Sequence, residues 1–313
     1  MVQPYPPQVA RIGKFEHPSR RDRRNTREVR AGLMLSTPFL VLFALFIAWP
    51  VFQSLLMSFT DMKIHDIRTP FAVNFVGFEN YRKALADPVY QRSALNTVIF
   101  VAVGVPLTMA AGLASAIALN KGIKKFRTLF RVGFYTPVIT SIVAVAVIWH
   151  FLLADNGAIN QLLSWIGISG PHWLDDPSTA LLSLILLSTW RNFGGSMIIF
   201  LAGLQNVPWT LHKAAMLDRA GPWKRFLHIT FPQLKPTLLF VMVTTTIGYL
   251  QFFEEPFVMT KGGPLNATIS ASMYTYQQFG YGNYGVAGAT AYLTFAVVAI
   301  ATALQFHLTR ERD

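Results

Sequence analysis

ALLSLILLSTWRNFGGSMIIFLAGL, residues 180–204, decides the class of fold. One side chain in it is charged, Arg191. A helix needs roughly 20 predominantly apolar residues to cross about 30 Å of hydrocarbon. This run meets that length, and five more do: 33–59, 95–119, 132–153, 237–253 and 285–306. The chain has 313 residues, of which 13% are charged. A soluble domain carries about 25%. Six such runs with one Arg among them exclude a soluble protein with buried core helices. The expected fold is all-α and polytopic, with six transmembrane helices. Pro38 and Pro50 are expected to bend or end the first run, and the fifth is short enough to extend past Glu254. The first apolar run begins after residue 31 and is too long for a signal peptide.

Basic residues set the orientation, because Lys and Arg accumulate in cytoplasmic loops. Segments 1–31, 120–131, 205–236 and the C-terminal tail hold twenty of the 27 Lys and Arg, and the alternate loops hold six. That pattern places both termini in the cytoplasm. It also accounts for the net charge of +12 without nucleic acid. Residues 1–31 form a basic arm with Arg20, Arg21, Arg23 and Arg24, expected to be disordered and held near anionic headgroups of the membrane lipid. Residues 32–313 form the transmembrane domain. Cysteine is absent, so a thiol nucleophile, a disulfide and a Cys-based metal site are excluded.

The cytoplasmic loop after the fourth run reads HKAAMLDRAGPWKRFLHITFPQLKP over 212–236. Asn206 is the expected N-cap and Pro208 falls in the first turn of a helix through TLHKAAMLDRA. Leu211, Ala214, Ala215 and Asp218 share a face by helical spacing, and the alanine pair lets another surface approach closely. Gly221-Pro222 is expected to stop this helix. A second short helix over 223–230 follows, and Phe231-Pro232 and Pro236 turn the chain back into the membrane.

This loop resembles the EAA loop of ATP-binding-cassette importer permeases. The family pattern is Glu-Ala-Ala, three residues, Gly, nine residues, Ile-x-Leu-Pro. Ala214 and Ala215 match the alanine pair, and Asp218 matches the Asp common before the Gly. Phe226, Ile229, Pro232 and Pro236 match the tail. Lys213 stands where the Glu belongs and Arg219 where the Gly belongs, with Gly221 two residues late. FVGFENYRKALADP with ALNTVIF, LAGLQNVP, EEPFVMTKGGPLNAT and GYGNYGVAGATAYL are similar, in that order, to segments of the sugar branch, the maltose-type and glycerol-3-phosphate-type permeases. The match covers about residues 32–308.

The resemblance implies a multi-pass permease of the bacterial plasma (inner) membrane, half of a channel whose other half is a second, similar permease. Two ATPase subunits would grip coupling helices, here the one between helices four and five. An extracytoplasmic binding lipoprotein or periplasmic protein would deliver a sugar-like solute, and the bundle would alternate access. The coupling residues are then Lys213, Ala214, Ala215, Asp218, Arg219 and Gly221. No cofactor is expected in this chain. It has no G-x-x-x-x-G-K-[ST] phosphate loop, so ATP and Mg would be bound by the partner ATPase. No metal motif and no nucleophilic triad are visible, and the chain is not expected to be an enzyme.

The solute path has its own candidates. Arg191 lies near mid-depth, where a charge costs about 2.5–3.5 kcal/mol on insertion scales, so it must face a partner or a wet cavity. Asn192 and Gln251 suit hydroxyl groups, while Trp190, Phe252 and Phe253 suit a sugar ring. Glu254 and Glu255 are the alternative, purely structural partners for Arg191. His150 is expected to be interfacial packing. An ion-coupled secondary transporter of a polar solute is the alternative class, and it would need a mid-membrane carboxylate that no run interior supplies. A scaffold without transport would need neither Arg191 nor a shaped loop.

Overall fold

The computed structural model describes residues 26–68, 73–122 and 125–309; the arm residues Arg20, Arg21, Arg23 and Arg24 lie outside them. The chain groups into two units, one ending at Gln53 and one beginning at Ser54. Among the described residues there is no β-strand. Helix α1 (Thr26–Phe43) passes through a π-helical turn, Ala44–Ala48, into α2 (Trp49–Ser58). Pro38 sits inside α1 and Pro50 near the start of α2, so neither ends the run. The wide turn just before Trp49 accommodates a proline that cannot donate an N–H.

A short helix, α3 (Glu79–Ala86), leads into the long α4 (Pro88–Ile117), whose N-terminus Asp87 caps by accepting from Val89 N at 2.8 Å. Next come α5 (Arg127–Ile139), α6 (Ile142–Leu153) and α7 (Ala158–Trp165), then α8 (Ala180–Gln205). Short helices α9 (Trp209–Leu217), α10 (Pro222–Arg225) and α11 (Phe231–Gln233) form the basic loop. Helix α12 (Lys235–Leu250) breaks at residues 251–253 before α13 (Glu254–Met259). Helices α14 (Ala271–Gly280) and α15 (Tyr284–Thr309) complete the chain.

Six helical segments are long and apolar enough to cross a membrane: Ala31–Ser58, Pro88–Asn120, Ile142–Trp165, Ala180–Gln205, Lys235–Met259 and Tyr284–Leu308. Five overlie the runs expected from sequence. The third differs, because the run 132–153 is not one helix. Thr140 and Ser141 are extended, with ψ of 144° and 131°, and Ser141 takes the N-cap position of α6. Ser and Thr favour caps over helix interiors, so a Thr-Ser pair can split an otherwise uniform apolar run. The fifth run does extend past Glu254, through the break at 251–253.

Helices α4, α8 and α12 form the centre of the second unit. Association of helices in lipid depends on close packing, which small residues permit. A Cβ at Gly112 of α4 would lie 2.8 Å from the Ser196 side chain of α8. One at Gly104 would lie 2.8 Å from the Tyr249 ring of α12. At Gly194 of α8 it would collide with the Phe134 carbonyl of α5. Two buried clusters fill the joint. One holds Phe100, Leu184, Ile185, Leu187, Tyr249 and Phe252; the other holds Leu119, Met197, Phe200, Leu204, Leu234 and Val241. The segment after α13 is tied to α4. Asn96 Nδ2 donates to the Asn266 and Ile269 carbonyls, each at 2.9 Å, and Tyr274 Oη donates to Asp87 Oδ2 at 2.6 Å. Lys261 and Gly262 have positive φ, so this Gly-rich piece is a turn.

Candidate functional site

The break at 251–253 opens the site. Helix α12 stops at Leu250 and α13 starts at Glu254, which swings Gln251, Phe253, Glu254 and Glu255 toward α8. Interrupted helices at membrane depth are tolerated where the irregular backbone lines a cavity. Here the cavity measures about 540 Å³. Arg191, Asn192, Gln251, Phe253, Glu254 and Glu255 all line it.

Arg191 Nη1 lies 3.3 Å from Glu254 Oε2. The Arg191 side chain is 20% exposed and that of Glu254 55%. Arg191 Nε is buried with no partner. Glu255, only 6% exposed, accepts from Ser188 Oγ at 2.7 Å. Asn192 Nδ2 donates to the Ser188 carbonyl at 2.9 Å, and Gln251 Nε2 to the Ile247 carbonyl at 3.3 Å. Phe253 stacks on Phe257 with centroids 5.0 Å apart. Of the two structural partners weighed for Arg191, Glu254 is the one that meets it.

The other aromatic candidates are placed differently. Trp190 packs on Trp149 at 5.7 Å and does not line the cavity. Phe252 lines it but stacks flat on Phe100, centroids 3.8 Å apart, so one ring face is taken. His150 is exposed near the end of α6, away from the cavity. Residue-type reasoning missed Ser188, Gly195, Ser196, Thr244, Thr245 and Gly248. Five of these line the cavity and Ser188 holds Glu255. Spacing carries the signal, since Ser188, Asn192, Gly195 and Ser196 recur on one face of α8, as Thr244, Thr245 and Gly248 do on α12.

The basic loop begins where α8 ends. Asn206 is the C-cap of α8 rather than the N-cap of α9, and Pro208 takes the N-cap position. Helix α9 stops at Leu217, earlier than Gly221-Pro222. Arg219 has φ +54°, Ala220 N donates to the Ala215 carbonyl at 2.9 Å, and Arg219 N to the Met216 carbonyl at 3.1 Å. These bonds are a Schellman stop, a geometry that favours glycine at the left-handed residue. The second short helix forms as expected, as α10 with a π-helical turn over Phe226–Thr230. Pro232 and Pro236 do not turn the chain. Each sits in the first turn of a helix, where a missing N–H costs nothing, so α11 and α12 follow almost without interruption.

Lys213, Ala214, Asp218, Arg219 and Gly221 are exposed and Ala215 is half-buried, while His212 is buried on the other side of α9. Leu217 and Trp209 are also exposed. The loop leaves and rejoins one packed base, for a Cβ at Gly203 of α8 would lie 2.7 Å from Thr237 Oγ1 of α12. Cavity and basic loop thus share the same two helices.

Residues 92–311 match the family model described as binding-protein-dependent transport system inner membrane component. The chain belongs to that family. It is a multi-pass transport permease, not an enzyme. The chain is 34% identical to the lactose transport system permease protein of Rhizobium radiobacter, over 90% of this chain and 94% of that one. It is 31% identical to the trehalose/maltose transport system permease protein of Thermococcus litoralis, over 91% and 96%. Its fold matches a chain of a bacterial transporter that imports the acidic polysaccharide alginate, with TM-score 0.77 and 24% identity over 91% and 96% of the two chains. For this permease the ion-coupled alternative is therefore not favoured.

Proposed function

We propose that this permease forms one half of the pathway of an ATP-driven importer for a sugar or sugar-like solute, with the Arg191 cavity as its share of the path. Residues 32–313 are the transport domain and 1–31 a cytoplasmic arm. The family works with a binding protein, and relatives named for lactose, arabinooligosaccharides and trehalose/maltose support a carbohydrate. A second, similar permease supplies the other half, and separate ATPases carry ATP and Mg. The Lys and Arg distribution supports cytoplasmic termini.

One observation carries the mechanism: the cavity and the exposed helix α9 hang on the same pair of helices. Arg191 and Gln205 are 14 residues apart on α8, about 21 Å at 1.5 Å per residue. Helix α8 runs unbroken from Arg191 to Gln205, so a push on α9 is carried to Arg191 along one helix. The return through α12 moves Thr244, Gly248 and the 251–253 break at the same time. Alternating access then follows from tilting α8 and α12 together as ATPases close. Lys213, Ala214, Ala215, Asp218, Arg219 and Gly221 make the docking surface. Lys213 requires an acidic group on the ATPase, or Asp218 takes part of that role.

Affinity capture of the tagged chain from its host membrane tests this reading. An ATPase and a second permease should co-purify, and ATP hydrolysis by the reconstituted complex should rise with sugar-loaded binding protein. Capture of the chain alone, with sugar uptake that persists without ATP, would refute it.

A further inference from the structure

We infer that the cavity selects neutral polyhydroxyl solutes and turns acidic sugars away. This rests on the Arg191 cavity being the solute path. Arg191 taken alone would invite an anion, but its surroundings reverse that. Its Nη1 faces Glu254 Oε2 at 3.3 Å, so its charge is already met. Glu255 adds a second carboxylate to the same lining. Among the described residues no other Lys, Arg or His lines the cavity. One guanidinium and two carboxylates leave a formal charge of −1.

Glu255 is nine-tenths buried, and Ser188 Oγ donates to its Oε1. An ionised carboxylate only accepts, so its open oxygen calls for a donor. A sugar hydroxyl is such a donor, whereas a uronate or sulfonate adds a like charge beside two carboxylates. Asn192, Gln251, Thr244 and Thr245 add neutral groups that exchange hydrogen bonds with hydroxyls. Arg191 accordingly serves to keep Glu254 in the membrane as a paired acceptor rather than to bind an anion.

The chain contains no cysteine, which permits a test independent of any solute. Gly195 and Gly248 line the cavity, and a Cβ at either meets nothing within 4 Å. Gly195→Cys and Gly248→Cys are to be made in the full complex, in membrane vesicles. They are modified with the cationic trimethylammonium-ethyl methanethiosulfonate or the anionic sulfonatoethyl reagent, with rates normalised to those of free thiol. The cationic reagent should be favoured about tenfold or more, as a like-charge penalty of over about 1.4 kcal/mol requires. Glu254→Gln and Glu255→Gln, both near-isosteric, should each bring the ratio toward one. Uptake of maltotriose should fall in Gln251→Ala and resist competition by trigalacturonate. An equal or anion-favouring ratio, with uptake still sensitive to Gln251→Ala, overturns the charge inference alone. Uptake indifferent to Gln251→Ala and Glu255→Gln overturns the solute-path reading beneath it.

Discussion

Arg219→Gly should stabilise the stop of α9 while removing a positive charge from the proposed docking surface. Arg219 is held at φ +54°, where an L-residue costs about 1–2 kcal/mol relative to the right-handed helix. Glycine removes that strain but returns about 0.5–1 kcal/mol through its greater freedom in the open loop. Taking the midpoints, the net gain is about 0.75 kcal/mol, which slows local opening roughly three- to fourfold by the relation between opening free energy and exchange. The amides to watch are Arg219 and Ala220, which donate to the Met216 and Ala215 carbonyls. Hydrogen exchange resolved to single residues, on the permease in nanodiscs, reads both. Arg219→Val should act oppositely, speeding exchange several-fold, because a β-branched side chain is a true outlier at positive φ. Arg219→Asn keeps tolerance of this backbone and drops the charge, so it separates the two roles. If Gly and Val move exchange in the same direction, or neither moves it, the backbone explanation is wrong. If Gly slows exchange while both Gly and Asn lower ATP-driven uptake, Arg219 contributes charge to docking as well.

Ala214→Asp places bulk and charge on the exposed face of α9 and should cut ATPase co-purification or uncouple hydrolysis from uptake. Lys213→Ala should do so more weakly, and normal uptake in that variant would remove Lys213 from the mechanism. Gly194→Ala should lower the unfolding midpoint of the purified permease by an overpacking cost of about 1–3 kcal/mol, since the obstructing Phe134 carbonyl is backbone. Gly195→Ala, with open space at its Cβ, should leave the midpoint unchanged, and equal effects at both positions would contradict the crossing geometry. His172 Nδ1 lies 2.7 Å from Asp155 Oδ1, and that hydrogen bond, followed by the Asp155 charge, raises the His172 pKa above its ordinary value. The pair therefore steadies the loop fully below about pH 6.5, the unfolded value, and the support is lost as pH rises through the raised folded value. Histidine NMR should show His172 titrating above about 6.5, and Asp155→Asn should bring it down; no response to Asp155→Asn would break the assignment.

The membrane fold was legible because composition suffices for it: apolar length and few charges specify a span whatever the packing. The cavity was legible for a related reason. A lone charge at mid-depth must be met, and Glu254 and Glu255, at the end of the run that follows the basic loop, were the carboxylates weighed for it. Choosing between them needed backbone geometry, since the break at 251–253 turns the first onto Arg191 and the second onto Ser188. What sequence misassigned involved residues whose meaning depends on a single torsion. Proline 232 and proline 236 read as turns yet sit in first turns of helices. Thr140-Ser141 hides inside an apolar run yet splits it. Asn206 suits either end of a helix, and the structure uses it to close α8.

The departures at Lys213 and Arg219 differ in physical kind, and this bears on how the loop works. At Arg219 the chain keeps the left-handed backbone that a glycine would adopt freely, so the shape of the stop survives the substitution. At Lys213 no backbone constraint is visible; the residue is an exposed position in the middle of α9, and the side chain alone changes. A docking element that depended on its helix end being placed correctly would tolerate the first change at modest cost and register the second only through charge. The packed base at Gly203 and Thr237 supports the same ranking, because it fixes where α9 stands before any partner arrives. If the loop docks on an ATPase as proposed, its shape is set within this chain and the charge at Lys213 is what selects the partner.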